Sequence, residues 1–507
     1  MREQTSLLVE VGDTLAAANT ASETIAVGVF ADGERLPAAE ALGGDLRALC
    51  ERVTSEGEFE GEAETTLLIH APAGEGAPGG APRRVLLVGL GAREDFDADT
   101  MRRAAGTAVR AAAKARTRSL HLVVPDGGVE VGRGIRALAE GAHLGLYENG
   151  FYQKKEEDEA PRLERLTLVC AGDAGAFAQE LERARVVAES ANWARALADE
   201  PGLSLPPIEF GRRAAEMARE VGLLIESLGV EEISARGMGG LLGVGQGSEQ
   251  EPALIVLRYE PEGTSADDEL WAFVGKGITF DTGGISIKHG LDMYEMKSDM
   301  AGGAAALGAL RALALLGAKQ RVVAVVPAAE NMPSGKSIKP GDIVRTFAGQ
   351  TIECVDTDAE GRLVLVDGIA YAKHLGATRV VDLATLTGSI IIALGTHRTG
   401  LFSNDDEWAS RVLAAGERAG EPAWRMPVSD GYKKKIESMI ADFKNYGGKP
   451  DATAAALLLS KFAGETPWVH LDIAGTAWYD APTPYAPKGA SGAGVRTLVE
   501  LVLNSRQ

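Results

Sequence analysis

The chain has few cysteines for its length. Its 507 residues include three, Cys50, Cys170 and Cys354, and none of them forms a Cys-x-x-Cys pair. An odd number of widely separated cysteines argues against a disulfide framework and against a zinc site built from thiolates. We therefore expect small buried thiols in a reducing compartment.

Long apolar runs are also lacking, and we expect no secretory leader. No run approaches the roughly 20 apolar residues that span a bilayer, and Met1–Gln4 does not begin a basic stretch followed by an apolar core. We therefore predict a cytoplasmic protein with no membrane partner. Lys and Arg number 52 against 72 Asp and Glu, a net charge of -20. Because phosphate contacts supply most non-specific DNA affinity, this balance argues against nucleic acid as a partner.

Two frequent catalytic signatures are missing. There is no His-Glu-x-x-His, which excludes the common helical zinc-protease arrangement, and the seven histidines form no ligand-spaced pair. The stretch Pro72–Arg83 is rich in Gly, Pro and Ala but lacks a Gly-Lys-Ser/Thr ending. It is therefore predicted to be a loop and not a phosphate-binding loop.

The length of the chain favours two domains, and the order of its elements predicts an α/β fold. Residues 1–176 form the predicted N-terminal α/β domain, residues 177–198 a linking helix, and residues 199–507 a second, larger α/β domain. Predicted strands of the first domain are Thr24–Phe30, Thr66–Ala71, Arg84–Gly89, Leu120–Val124 and Leu166–Cys170, with helices at Ala98–Ala115 and Gly132–Leu146. Predicted strands of the second domain are Ala253–Tyr259, Leu270–Val274, Val322–Val326, Thr351–Val355, Arg379–Leu383 and Trp468–Asp472, with helices at Ala301–Leu316 and Val364–Leu375.

Charged residues follow one strand of the second domain. Lys276, Asp281 and Lys288 come after the apolar run Leu270–Val274. Ligands bind at the carboxyl ends of strands in open α/β sheets, so these side chains lie where a site is expected. Asp299 precedes an Ala-rich helix, and taken alone it is more readily a helix N-cap than a ligand.

A second charged run follows the predicted strand Thr351–Val355. In an extended chain, residues two apart point to one face, so Asp358, Glu360 and Arg362 are expected to converge. Carboxylates held together repel unless cations or protons neutralise them. With Asp281 and Asp299 they give four carboxylates, a plausible ligand set for two divalent metals. The alternative is a solvated charged turn, which is common for acidic runs.

These segments resemble the leucyl aminopeptidase family, the cytosolic M17 metallopeptidases. The resemblance is strong over residues 192–503 and architectural before that. Seven polar residues match in order and spacing: Lys276, Asp281, Lys288, Asp299, Asp358, Glu360 and Arg362. Further matching segments are Met293–Met300, Asn331–Pro333, Pro340–Asp342, Asp382–Gly388, His470–Gly475 and Gly489–Arg496.

The resemblance implies a macro-domain-like N-terminal domain and a larger catalytic domain with a mixed central sheet flanked by helices. It also implies a leucyl aminopeptidase, whose mostly apolar pocket would prefer Leu or other apolar N-terminal residues. The pocket positions that match are Met296, Thr385, Leu386 and Gly388. A homohexamer acting on peptides is implied in the same way.

By the same resemblance, Asp281 and Glu360 would bridge two divalent ions, Mn²⁺ or Zn²⁺. Asp358 would complete one metal site, and Lys276, as a neutral amine, would complete the other together with Asp299. The nucleophile would be a water molecule between the metals. Lys288 would polarise the scissile carbonyl, and Arg362 would hold a bicarbonate ion that serves as general base.

Two other functions stay open on the sequence. Lys and Arg beside paired metals also suit a phosphoesterase, and a non-catalytic binding or regulatory protein could keep the same fold. The chain departs from the family pattern at two positions, with Asp356 where Asn is usual and His289 where Pro is usual. Asp356 is expected either to add negative charge beside the metals or to bond to nearby backbone.

Overall fold

The computed structural model describes residues 7–12, 24–32, 36, 44–70, 84–126, 128–154, 163–170 and 174–505. The chain forms two compact units. The first comprises Met1–Glu189 and Asp480–Lys488, and the second comprises Ser190–Tyr479 and Gly489–Gln507. The predicted loop Pro72–Arg83 lies outside the described residues.

The first unit is built on a six-stranded sheet in the order β1-β6-β5-β2-β4-β3. Strand β3 runs antiparallel to its neighbour, and the other pairs are parallel. The strands are β1 (Leu8–Gly12), β2 (Thr24–Phe30), β3 (Thr66–His70), β4 (Arg84–Gly91), β5 (Ser119–Val123) and β6 (Arg165–Val169). The helices are α1 (Gly44–Ser55), α2 (Ala98–Lys114) and α3 (Val131–Gly145), and α4 (Ala178–Asp199) contains the division between the units.

Side chains along the buried strands point alternately to the two faces of the sheet, and this explains why both faces are covered. Val27 and Val29 of β2 pack with Cys50 of α1 in one cluster. Ala26 and Phe30 point the other way, into a cluster that contains residues of α2 and α3. Helices therefore cover both faces of the sheet, as an α/β fold requires.

The second unit has a nine-stranded mixed sheet in the order β16-β15-β18-β14-β9-β11-β8-β7, with β10 paired to β11. Pairs β18/β14, β14/β9 and β9/β11 are parallel, whereas β8 is antiparallel to both of its neighbours. Its strands are β7 (Leu224–Leu228), β8 (Ala253–Tyr259), β9 (Leu270–Gly275), β10 (Gly277–Asp281), β11 (Arg321–Asn331), β14 (Arg379–Ala384), β15 (Thr399–Ser403), β16 (Ala423–Arg425) and β18 (Trp468–Asp472). Small sheets contain β12 (Ile343–Arg345), β13 (Thr351–Glu353) and β17 (Phe443–Lys444), and β19 (Trp478–Tyr479) with β20 (Gly489–Ala490).

Helices flank both faces of this large sheet. Trp271 of β9 points to one face and meets Trp408 of α11 edge to face, with ring centroids 4.8 Å apart. Ala272 and Val274 point to the other face, into the core that holds Leu363 of α9. The helices are α5 (Pro207–Val221), α6 (Val230–Ala235), α7 (Gly239–Gly245), α8 (Ala301–Leu315), α9 (Gly361–His374), α10 (Gly388–Leu394), α11 (Asp406–Ala419), α12 (Asp451–Ala463) and α13 (Val495–Leu503). The predicted fold, an α/β chain whose larger domain has a mixed sheet between helices, is confirmed.

Candidate metal centre and active site

Most of the predicted site residues lie at one edge of the large sheet. Lys276 follows β9 directly, Thr385 and Leu386 follow β14, and Asp472 is the last residue of β18. These three strands are parallel neighbours, so their carboxyl ends meet. This is the edge at which α/β sheets bind ligands.

A short strand that the sequence does not indicate brings Asp281 to the same edge. β10 pairs with β11 in parallel, with Asp281 opposite Asn331. The Asn331 side chain donates from Nδ2 to Asp281 Oδ1 at 2.8 Å and to the carbonyl of Thr357 at 3.0 Å. Asn331 therefore ties the Asp281 segment to the turn that carries Asp358.

Three carboxylates converge there. Asp281, Asp358 and Glu360 each offer an oxygen, and these oxygens all lie within 4.8 Å of one another. Asp281 and Glu360 are buried, whereas the Asp358 side chain is 35% exposed. Burial and then the charge of Asp281 raise the pKa values of both Asp358 and Glu360. The site therefore concentrates more negative charge than it can hold without cations or protons.

Lys276 lies among these acids. Its Nζ is 2.7 Å from Asp299 Oδ2, 2.7 Å from Glu360 Oε1 and 3.0 Å from the carbonyl of Thr385. Burial lowers the pKa of Lys276, but the carboxylates of Asp299, Glu360 and Asp281 outweigh this effect and raise the pKa. Without metal, the lysine is therefore a protonated partner of the acids.

Asp299 is not a helix N-cap. The N-cap of α8 is Met300, which makes no side-chain capping bond. The Asp299 carboxylate instead faces Lys276 and accepts a 2.7 Å hydrogen bond from Thr385 Oγ1. The capping alternative is wrong because the side chain points to the sheet edge and not to the free N–H groups of the helix.

Lys288 closes the other side of the cluster. Its Nζ is 2.8 Å from Asp281 Oδ2 and 2.5 Å from Asp358 Oδ1. Burial lowers the pKa of Lys288, and Asp281 with the neighbouring acids raises it by more. The Lys288 side chain is 24% exposed, compared with 3% for Lys276. Lys288 is therefore the lysine that an incoming ligand can reach.

The donor set fits divalent cations. Asp299 Oδ2 and Glu360 Oε2 are buried and accept no hydrogen bond of good geometry from the described residues. Four carboxylates face two lysines, and oxygen donors with one amine suit Mn²⁺, Mg²⁺ and Zn²⁺. Bound divalent ions would thus neutralise the acids in place of the positive charges of the lysines.

The backbone that carries Asp358 and Glu360 is not extended. Thr357 and Asp358 lie in a turn, Glu360 has helical dihedral angles, and α9 begins at Gly361. The two carboxylates still converge, because the turn reverses the chain before the helix starts. The Arg362 Nη1 donates to the carbonyl of Asn445 at 2.7 Å, and the convergence of Arg362 with the two carboxylates stays a prediction.

Asn445 is a residue that the sequence does not single out. Its buried side chain accepts from the N–H of Val355 at 2.7 Å and of Asp356 at 3.3 Å. It donates to the carbonyls of Asp356 at 2.6 Å and of Ala359 at 3.2 Å. One side chain therefore holds the backbone on both sides of Asp358.

The predicted pocket residues differ in how closely they approach the lysine and acids. Thr385 contacts both Lys276 and Asp299. A Cβ on Gly361 would lie 2.7 Å from Lys276 Cε and 3.0 Å from Leu386 Cδ1, so Leu386 is beside Lys276 and position 361 has no room for a side chain. Gly388 is exposed at the start of α10. Met296 is half-buried in the 3-10 turn Met293–Ser298, and its carbonyl accepts from the N–H of Asp299 at 3.2 Å.

The two departures from the family pattern have local settings. Asp356 Oδ1 accepts from the N–H of Asp358 at 3.0 Å, so this acid shapes the turn through a backbone bond. His289 is exposed. The geometry favours the backbone role of Asp356 over a role beside the metals.

Comparison with known proteins gives consistent matches along the chain. The catalytic-domain model of the cytosol aminopeptidase family matches residues 192–499, and its N-terminal-domain model matches residues 26–156. A probable cytosol aminopeptidase of Acidobacterium capsulatum is 45% identical over 90% of this chain and 89% of its own length.

Two solved structures are similar over nearly the whole chain. A tomato leucine aminopeptidase mutant has a TM-score of 0.88 at 30% identity, covering 99% of this chain and 97% of its own. The bottromycin maturation enzyme BotP in complex with Mn has a TM-score of 0.81 at 36% identity, covering 96% of this chain and 100% of its own. In the described part of this chain, no helix combines the length and apolar character that crossing a membrane requires.

The family matches cover both parts of the chain and include the segment that carries every acid and lysine of the site. The protein therefore belongs to the cytosol aminopeptidase family, the M17 metal-dependent aminopeptidases.

Proposed function

We propose that this chain is a two-metal aminopeptidase that removes Leu and other apolar residues from the N-terminus of peptides. The observation that carries the proposal is the convergence of Asp281, Asp358 and Glu360 within 4.8 Å at the carboxyl edge of the large sheet. A solvated charged turn would not bury two of these acids with Lys276 between Glu360 and Asp299.

The same contacts suggest how two metals are held. Glu360 lies between the Asp281–Asp358 group and the Lys276–Asp299 pair, so it is the acid that both ions could share, and the resemblance adds Asp281 as the second shared acid. Asp358 would then complete one site, and Lys276 with Asp299 would complete the other. Bound divalent ions would lower the pKa of water and polarise a carbonyl oxygen. The preferred ion is proposed to be Mn²⁺ or Zn²⁺, and BotP, a similar protein, has been solved with Mn.

The chain's own residues would orient the peptide. Lys288, the more exposed lysine, would donate to the scissile carbonyl and stabilise negative charge that develops on it. Leu386 beside Lys276 supplies an apolar wall, with Met296, Thr385 and Gly388 proposed to line the rest of the pocket. Met side chains adapt to several apolar partners, which favours a preference for Leu without strict selectivity.

The test uses three chromogenic substrates with one metal-loaded sample: leucine 4-nitroanilide (the leucine anilide of all the assays below), its N-acetyl derivative and 4-nitrophenyl phosphate. An aminopeptidase hydrolyses the free-amine substrate and not the acetylated one. Hydrolysis of the ester alone would instead establish a phosphoesterase, and hydrolysis of none would leave a binding protein. A series of amino acid anilides then gives the preference for the first side chain as a ratio of kcat/KM values.

Assembly and location are proposed from the surface and from the cysteines. Leu203, Ile392 and Met439 are large apolar residues with exposures of 97%, 84% and 99%. The homohexamer is proposed from the resemblance, and such exposed apolar side chains could be buried between its subunits. A cytoplasmic location is proposed from the reduced cysteines and from the relatives named as cytosol aminopeptidases.

A further inference from the structure

The guanidinium of Arg362 is buried and already has an anionic neighbour. Its side chain is 3% exposed, and its Nη2 lies 3.0 Å from Asp451 Oδ1. This distance makes an ion pair, although Asp451 Oδ1 accepts no hydrogen bond of good geometry from the described residues. Nη1 is occupied by the carbonyl of Asn445. A buried arginine needs a counter-charge, and Asp451 provides one from within the chain.

Asp451 comes from a different part of the chain. It is the first residue of α12, directly after Pro450, and its side chain is 18% exposed. Arg362 is the second residue of α9, two positions after Glu360. The ion pair therefore joins the starts of two helices beside the proposed metal ligands.

A free bicarbonate ion, which the resemblance places on Arg362, fits this arrangement poorly. Such an ion needs N–H donors, and of the five N–H groups of the guanidinium one on Nη1 bonds to the Asn445 carbonyl while Nη2 faces Asp451. Nε has no hydrogen-bond partner among the described residues, so Nε and the second N–H of each Nη are the donors left for an anion. An anion at Nε would lie on the same guanidinium as the Asp451 carboxylate, and the two like charges would repel.

We propose that Asp451 is the built-in counter-anion of Arg362, so that this enzyme works without bicarbonate. The inference rests on the proposed peptidase site. It predicts that the carboxylate must be removed before Arg362 can take a small free anion. The alternative is that Asp451 only stabilises the start of α12, where acidic residues interact favourably with the helix dipole.

The test compares wild type with Asp451→Ala and Asp451→Asn, each loaded with metal. Bicarbonate and formate binding is followed by calorimetry, and leucine anilide hydrolysis is measured in buffer freed of carbon dioxide, with and without added bicarbonate. We expect wild-type activity with and without bicarbonate to differ by less than about twofold. Without bicarbonate, the alanine variant should be about tenfold or more less active than wild type. The alanine variant should then bind both anions and recover activity with bicarbonate. The isosteric Asn variant gives the same comparison if the Ala variant is poorly folded.

The matched control is Asp430→Ala, which removes an exposed acid paired with Lys461 at 3.0 Å. It should leave both activity and anion binding as in wild type. Bicarbonate binding by wild type with loss of activity on its removal would overturn the proposal. The proposal would also be overturned if the Asp451 variants lost thermal stability but bound neither anion. Because binding is measured separately, an inactive wild type would count against the proposed function and not against this inference.

Discussion

Replacing Asn445 by Ala should weaken metal binding although Asn445 is not a proposed ligand. Its side chain makes four hydrogen bonds to the backbone of residues 355–359, and the shortest are 2.6 and 2.7 Å. Each such bond contributes about 1 kcal/mol net, and each buried group left unpaired costs about 1–3 kcal/mol. If the two short bonds are counted fully and the two longer ones in part, the turn loses roughly 2–4 kcal/mol of stabilisation.

That loss falls on the segment that positions Asp358 and Glu360. Because about 1.4 kcal/mol corresponds to a tenfold change in an equilibrium constant, metal affinity should fall by at least about tenfold. Residues that orient metal ligands commonly contribute about 10–100-fold to affinity, which agrees with this range. The assay is competition with a chromophoric chelator, followed by leucine anilide kinetics at saturating metal.

Asn404→Ala is the matched control. Asn404 also braces backbone, donating to the carbonyls of Gly464 at 2.8 Å and Thr466 at 3.0 Å and accepting from the N–H of Trp468 at 2.9 Å. These contacts lie at the start of β18, at the other end of the strand from Asp472. The control should lower thermal stability and leave metal affinity unchanged. If Asn445→Ala lowered stability to the same extent with unchanged metal affinity, the reasoning would be refuted.

Three further outcomes are expected. Glu360→Ala or Asp281→Ala should abolish hydrolysis and lower bound metal in elemental analysis, since each removes an acid proposed to bind both ions; normal turnover with full metal content would show that the ligand assignment is wrong. Lys288→Ala should lower kcat by about 10²–10³-fold, the usual effect of removing one donor to a developing oxyanion, with metal content intact; a loss of metal instead would assign Lys288 a structural role. Light scattering should give the mass of six chains, and a stable 53.1 kDa species at micromolar concentration would contradict the hexamer.

Four strands of the large sheet can be predicted because each contains a mostly apolar run. β8 and β18 have the predicted bounds, and β9 and β14 extend one residue further. β10 is not predicted, because Gly277–Asp281 begins with a glycine and has one polar and one acidic residue in five. Its pairing with β11 depends on tertiary structure, which the local sequence pattern does not predict.

The sequence predicts which residue types form the site better than it predicts how they are arranged. Spacing places Asp358 and Glu360 together on an extended chain, but a turn and the start of α9 bring them together instead. Asn445 and Asp451 carry no local signal, because each contacts the Asp358–Arg362 segment from about 80–90 positions away in sequence, and only the fold creates such contacts.

The most direct test of the central claim is a metal titration of stripped protein, followed by leucine anilide hydrolysis and by metal analysis of the same samples. Stripped protein should be inactive, and activity should rise to a plateau when two divalent ions per chain are bound. Mn²⁺ and Zn²⁺ should both restore it, and Glu360→Ala should stay inactive throughout. Full activity in the stripped protein, or a plateau reached with a single ion bound per chain, would contradict a two-metal aminopeptidase.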